Sequence, residues 1–151
     1  MARLLGIAKR ARKRAAMQLL QTAEIRLEHG VADDFRGKSG ARQVTVLTRE
    51  AWQAACAELG LGAADTLPWT TRRANLLIQG LDLRDSSGRI LKVGEVELLI
   101  SRETDPCERM EQACPGLLAA MAKEWRGGVC CRVLVAGRIQ IGDPVALVDA
   151  D

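Results

Sequence analysis

The sequence predicts a mixed α/β fold that is mainly β: a barrel-like β domain with a few inserted helices, forming one domain over residues 1–151. Three observations carry this expectation. Short runs in which apolar and polar residues alternate recur along the chain and give about seven or eight strands. Only two or three stretches place apolar residues at helical spacing. Glycines stand where these runs end, as expected of turns and caps.

Taken in order, Arg3 to Ala8 reads as a first strand and Leu19 to Glu28 as a second, ended by Gly30. Val31 to Ala41 is a polar loop, VADDFRGKSGA. Arg42 to Leu47 is dense in β-branched residues and reads as a strand. Thr48 is placed to cap a helix from Arg49 to Leu59, with Ala51, Trp52, Ala55 and Leu59 on one face and Gly60 and Gly62 beyond its end. A second polar loop, Asp65 to Arg73, leads to a short strand, Asn75 to Gln79.

Arg89 to Val93 and Val96 to Ile100 form a hairpin about Gly94-Glu95. Short helices follow at Glu108 to Ala113 and from Pro115, a favoured first helical residue. Gly127-Gly128 breaks the second, and Val129 to Val135 is the last long strand. Gly88 to Val96 is echoed by Gly137 to Val145, which predicts two similar hairpins.

Composition narrows the function classes. An apolar fraction of 48% is ordinary for a globular chain. No run approaches the ~20 apolar residues of a membrane span, and MARLLGIAKR lacks the apolar core of a secretory signal. Five cysteines at irregular spacing do not make a secreted disulfide scaffold, so a reducing cytoplasmic setting is expected.

Net charge is +3, yet Arg3, Lys9, Arg10, Arg12, Lys13 and Arg14 precede the first acid, Glu24. Such a run is either a nucleic-acid patch or a solvated basic face. One Phe, three Trp and no Tyr leave few rings for bases to stack on, which favours the solvated face.

The stretch Gly94 to Cys107, GEVELLISRETDPC, runs from a tight turn along a strand to a polar loop stiffened by Pro106. A thiol there can face a cleft, although a free cysteine is also among the most buried residue types. Cys56 lies on the Trp52 helix and Cys130 and Cys131 in an apolar strand, where packing is expected; Cys114 is a candidate resolving thiol. No CxxC pair supports a zinc site or a thioredoxin-like couple. His29, the one histidine, stands at a strand end beside a glycine, which argues against hydrolase chemistry. Trp69 and Trp125 flank the loops and either stack on a ligand or pack in the core.

Several pieces then resemble the MOSC domain family, named for the C-terminal domain of molybdenum cofactor sulfurase. They are Gly30-Val31-Ala32-Asp33-Asp34-Phe35-Arg36-Gly37, Arg42 to Leu47, Arg73 to Gly80, Asp105-Pro106-Cys107, Cys131 to Leu134, and Ile141 to Val145. The resemblance covers about Arg3 to Val148 in the family's order. It implies a β-barrel that binds molybdenum cofactor (molybdopterin), with Cys107 as catalytic thiol and metal ligand. With such a cofactor expected, the candidate cofactor-binding residues are Asp34, Arg36, Arg42, Arg72, Arg73 and Asn75.

The chemistry is coherent. Thiolate suits a soft metal, guanidinium matches phosphate with paired hydrogen bonds, and an asparagine amide both donates to and accepts from a pterin edge. Arg36, Lys38, Arg42, Arg72 and Arg73 sit on or beside polar loops, although Arg72-Arg73 also fits a solvated pair.

The expected activity is reduction of N-hydroxylated compounds at a cysteine-ligated molybdenum centre. The expected partners are a small-molecule substrate and an external electron-donor protein, because the sequence has no flavin, iron–sulfur or dinucleotide motif. Two alternatives stay open: a persulfide sulfur carrier for metal–sulfur centres, and a non-catalytic anion-binding barrel.

Overall fold

The computed structural model describes residues 2–12, 15–32, 34, 40, 42–60, 67–105 and 108–150. Among them the strands are β1 (Arg3–Lys9), β2 (Gln18–Leu20), β3 (Thr22–Arg26), β4 (Gly30–Val31), β5 (Val44–Thr48), β6 (Leu76–Gln79), β7 (Ile90–Val93), β8 (Val96–Glu103), β9 (Val129–Val135), β10 (Gly137–Gln140) and β11 (Val145–Val148). The helices are α1 (Arg49–Glu58), α2 (Glu108–Ala113) and α3 (Leu117–Met121). No helix of the described residues is long and apolar enough to cross a membrane.

The expected barrel is not what forms. Eight strands make an open sheet in the order β11-β7-β8-β9-β5-β6-β1-β2, and β10-β3-β4 make a separate sheet. The end strands β2 and β11 do not pair; β1 meets the chain leading into β11 through an isolated bridge between Arg3 and Pro144 and a few backbone hydrogen bonds around it, and no continuous ladder closes the sheet. Two physical reasons are visible. Pro144 has no N–H to extend a ladder, and β2 is only three residues long.

The strand expected over Leu19 to Glu28 is also two strands. The chain changes sheets at Gln21, so β2 pairs β1 while β3 pairs β10. The Gly137 to Val145 echo is not a hairpin either. β10 joins the small sheet, and β11 crosses to pair β7 with Val145 opposite Val93. The first echo does fold back on itself, with Val93 opposite Val96. At its turn Gly94 has φ 56°, and a Cβ there would lie 2.9 Å from Asp143 Oδ2. The two Gly-acid turns therefore abut.

β5 and β6 pair in parallel, joined through α1. Thr48 caps α1 by accepting from Ala51 N at 3.1 Å, which satisfies one of the orphan amides of the first turn. Alternation along these strands divides two cores. Val44, Val46, Leu76 and Ile78 enter one with Leu4, Ile7, Leu98, Ile100 and Cys131. Leu47 and Leu77 turn to the other face, where Trp52, Ala55 and Cys56 of α1 meet Met110, Leu117 and Met121. α3 begins at Leu117 and not at Pro115, because Gly116, at φ 88°, reorients the chain between them.

Candidate anion-binding site

Where β1 ends and β5 and β6 begin, a cleft of about 360 Å³ opens. Five arginines line it: Arg10, Arg42, Arg72, Arg73 and Arg109. Two carboxylates are present, Asp34 and Asp105, and Asp105 is paired with Arg102 at 3.1 Å. Thr45, Thr71 and Asn75 add polar groups, and Met17 and Met110 add apolar surface.

Each side chain arrives for a local reason. Arg10 directly follows β1, whose Gly6, Ile7 and Ala8 are all buried, and is itself 8% exposed. Its backbone N–H donates to Asp34 Oδ1 at 2.9 Å, with Asp34 itself buried. A 3-10 turn over Trp69–Arg72 leads into Arg73, which adopts a left-handed φ of 64°. That turn directs Arg72 Nε to Gly127 O at 2.9 Å, while an Arg73 terminal amine donates to Ala15 O. The 3-10 turn lies within the stretch read as loop.

Arg73 Nε is buried without a hydrogen-bond partner. Burial disfavours its charge, Arg109 adds like-charge repulsion, and Asp34 opposes both, so its pKa sits below the ordinary guanidinium value. An oxyanion in the cleft supplies what this nitrogen lacks and relieves the repulsion.

Asn75 is engaged differently. Its Oδ1 accepts from Thr45 N at 3.0 Å and Thr45 Oγ1 at 3.3 Å, and its Nδ2 donates to Ala8 O at 3.2 Å. The side chain clamps β1 to β5 at the cleft's edge, leaving one amide hydrogen for a ligand.

Of the residues selected from sequence, Asp34, Arg42, Arg72, Arg73 and Asn75 line this one cleft. Arg36, Lys38 and Cys107 lie outside the described residues. Asp105 and Arg109, two places either side of Cys107 in the sequence, both line the cleft. Cys56, Cys130 and Cys131 are buried, and Cys114 is half-buried. Burial, then Cys130, pushes the Cys131 thiol up; burial, then Cys114, raises Cys56. Trp69 packs with the second core, where a Cβ on Gly6 would meet its ring at 2.7 Å. His29 is exposed.

The MOSC domain profile matches residues 27–146. The chain belongs to the MOSC domain family. Solved structures similar to this MOSC domain include the YuaD protein of Bacillus subtilis, at TM-score 0.80 and 19% identity over 100% of this chain and 98% of that one. YiiM of Escherichia coli matches at 0.73 and 18%, covering 99% and 71% of the two chains. YiiM of Geobacillus stearothermophilus matches at 0.76 and 17%, covering 99% and 76%. At these identities the likeness shows a shared fold. No curated protein matches this MOSC domain by sequence.

The expectation of molybdenum ion binding is corrected. Among the described residues of the MOSC domain, no group of three or more His, Cys, Asp or Glu is placed to hold a metal ion. In the cleft five guanidinium groups face two carboxylates, a balance that suits oxyanions over cations.

The basic run concealed Arg10, which counts as a surface charge by composition but is buried just beyond the end of β1. Arg109 was readable only as part of a helix, and nothing in its spacing pointed inward.

Proposed function

We propose that this MOSC protein binds molybdenum cofactor in the arginine cleft. The cofactor's phosphate would lie among Arg42, Arg72, Arg73 and Arg109, and its pterin edge near Asn75 and Thr45. The observation that carries the reading is the buried, partnerless Arg73 Nε in a cleft with excess positive charge. The residues present fit an anionic, phosphate-bearing group. Asp34 accepts from the Arg10 backbone N–H and is the counter-charge that favours the Arg73 cation. Arg36, beside Asp34 in sequence, is proposed as a further phosphate donor, and Cys107 as the thiol at the cofactor's reactive end.

When bound, the cofactor supplies the redox chemistry that removes oxygen from an N-hydroxylated compound. The chain's own residues bind and orient it, and electrons come from an external donor protein. The sulfur-carrier reading uses the same cleft, with Cys107 holding a persulfide and no turnover.

The test is pterin content after purification from a host that synthesises the cofactor. Arg73→Lys keeps a positive charge but removes Nε, and should lower retained pterin about tenfold, the effect of roughly 1.4 kcal/mol. Arg12→Ala, at an exposed residue, should leave it unchanged. Loss with Arg12→Ala and none with Arg73→Lys would move the site to the basic N-terminal run. Loaded protein given a strong artificial electron donor and an amidoxime then separates the two chemistries. Turnover lost in Cys107→Ser supports the reductase; full loading without turnover supports the carrier.

A further inference from the structure

At the other end of the β5–β6 pair lies a larger cleft of about 460 Å³. The arginine cleft takes Thr45 and Asn75 from the start of the parallel pair; this one takes Thr48 and Gly80 from its end. Apolar lining comes from Ala51 and Ala54 of α1, from Leu81 and Leu83, and from Trp125.

Glu124 and Trp125, consecutive in this lining, hold left-handed φ values of 51° and 60°. L side chains rarely adopt that conformation, and a turn needed only to reverse the chain would place Gly or Asn there. Instead the two positions carry a carboxylate and an indole at a cavity, the association expected of strain kept for binding.

The charges of the lining narrow the ligand. Asp82 and Arg84 form a bidentate pair at 2.8–3.2 Å. Arg126 binds Glu58 at 2.9 Å and Glu124 at 3.7 Å. Glu50 takes no cation among the described residues; its Oε2 accepts only from Gly80 N, at 2.8 Å. Trp125 is half-buried and packs in part against the first core, and the cleft thus offers the remaining edge of its indole and one carboxylate, Glu50, without a counter-charge among the described residues. An anion would find both arginines already occupied.

We propose that this second cleft binds a small flat cation, an aromatic ring bearing a protonated nitrogen, with the ring against Trp125 and the charge toward Glu50. The proposal stands apart from the cofactor reading, since it uses no residue of the arginine cleft.

The probe is 4-aminopyridine, a flat cation at neutral pH, titrated into the full chain and followed by the tryptophan indole N–H resonances. Isonicotinate, a similar ring carrying a carboxylate, is the control. Trp125→Phe assigns the Trp125 signal. The cation should shift that signal with a dissociation constant of roughly millimolar size, as suits so small a ligand. Isonicotinate should shift none. Glu50→Gln keeps an acceptor for the Gly80 amide and removes only the charge, and should weaken binding about fivefold. Trp125→Leu, which removes that signal, is followed instead by saturation transfer to the probe's own ring protons and should show none, with circular dichroism checking that the variant is folded. An equal shift of the Trp125 signal by isonicotinate, unchanged affinity in Glu50→Gln, or no shift of the Trp125 signal at tens of millimolar probe overturns the proposal.

Discussion

At the scale of single residues, Asn75 shows how a site residue can be structural first. Its amide bridges β1 and β5, so Asn75→Ala leaves the Thr45 amide and the Ala8 carbonyl without their partner. The expected cost is about 2–4 kcal/mol, read from urea unfolding; a loss below about 0.5 kcal/mol would show that water replaces the side chain. Cys131 makes a pH-dependent prediction. Burial raises its thiol pKa, so the folded chain keeps a proton that the unfolded chain releases above about pH 8.5. Its stabilising contribution is therefore full below that pH and declines as pH rises, by at most about 1.4 kcal/mol per unit. Cys131→Val should flatten that alkaline decline, and an unchanged slope would place its cause elsewhere.

At the scale of elements, the turn at Gly127-Gly128 is the most constrained. Gly127 O accepts from both Arg72 Nε and Thr104 Oγ1, and Gly128 N–H returns to Trp125 O. A Cβ on Gly128, at φ 87°, would lie 2.0 Å from Val46 O. Gly128→Ala should therefore destabilise by more than about 3 kcal/mol, a large effect for one methyl group. Near-wild-type thermal unfolding would mean that the turn can move away from β5. The start of β9 after Gly127-Gly128 was legible in sequence, and so were the Thr48 cap and the β7–β8 hairpin, because each is decided by neighbouring residues; the helix expected to run up to these glycines ends earlier, at Met121. Sheet membership was not. Nothing local to Gly137–Val148 says that β10 and β11 part company; that depends on β3 and β7, far away in the chain. The cleft was legible in part for the same reason. Arg72, Arg73 and Asn75 share one loop and its strand, whereas Arg10 and Arg109 join them only through tertiary packing.

At the scale of the whole molecule, a cleft with surplus guanidinium charge couples ligand binding to stability. Pyrophosphate, which mimics the cofactor's phosphate charge, should raise the thermal midpoint. At a hundredfold excess over its dissociation constant the gain is about 2.7 kcal/mol. The gain should shrink with added salt and be smaller in Arg73→Lys. An equal rise with sulfate-matched ionic strength alone, or an undiminished rise in Arg73→Lys, would remove the cleft as its source.

β1 lies between β2 and β6, but β2 covers only Ile7 to Lys9 of its second edge. The earlier part of that edge bonds to residues near the end of the chain: Leu4 N donates to Asp143 O at 2.9 Å, and Gly142 N to Leu4 O at 2.8 Å. The β1 edge must therefore wait for residues about 140 positions further along before its backbone is satisfied. Closing so long a loop belongs to the slow, millisecond-to-second regime of non-local topologies. In the meantime an apolar strand edge at Leu4 is open to any other nascent chain.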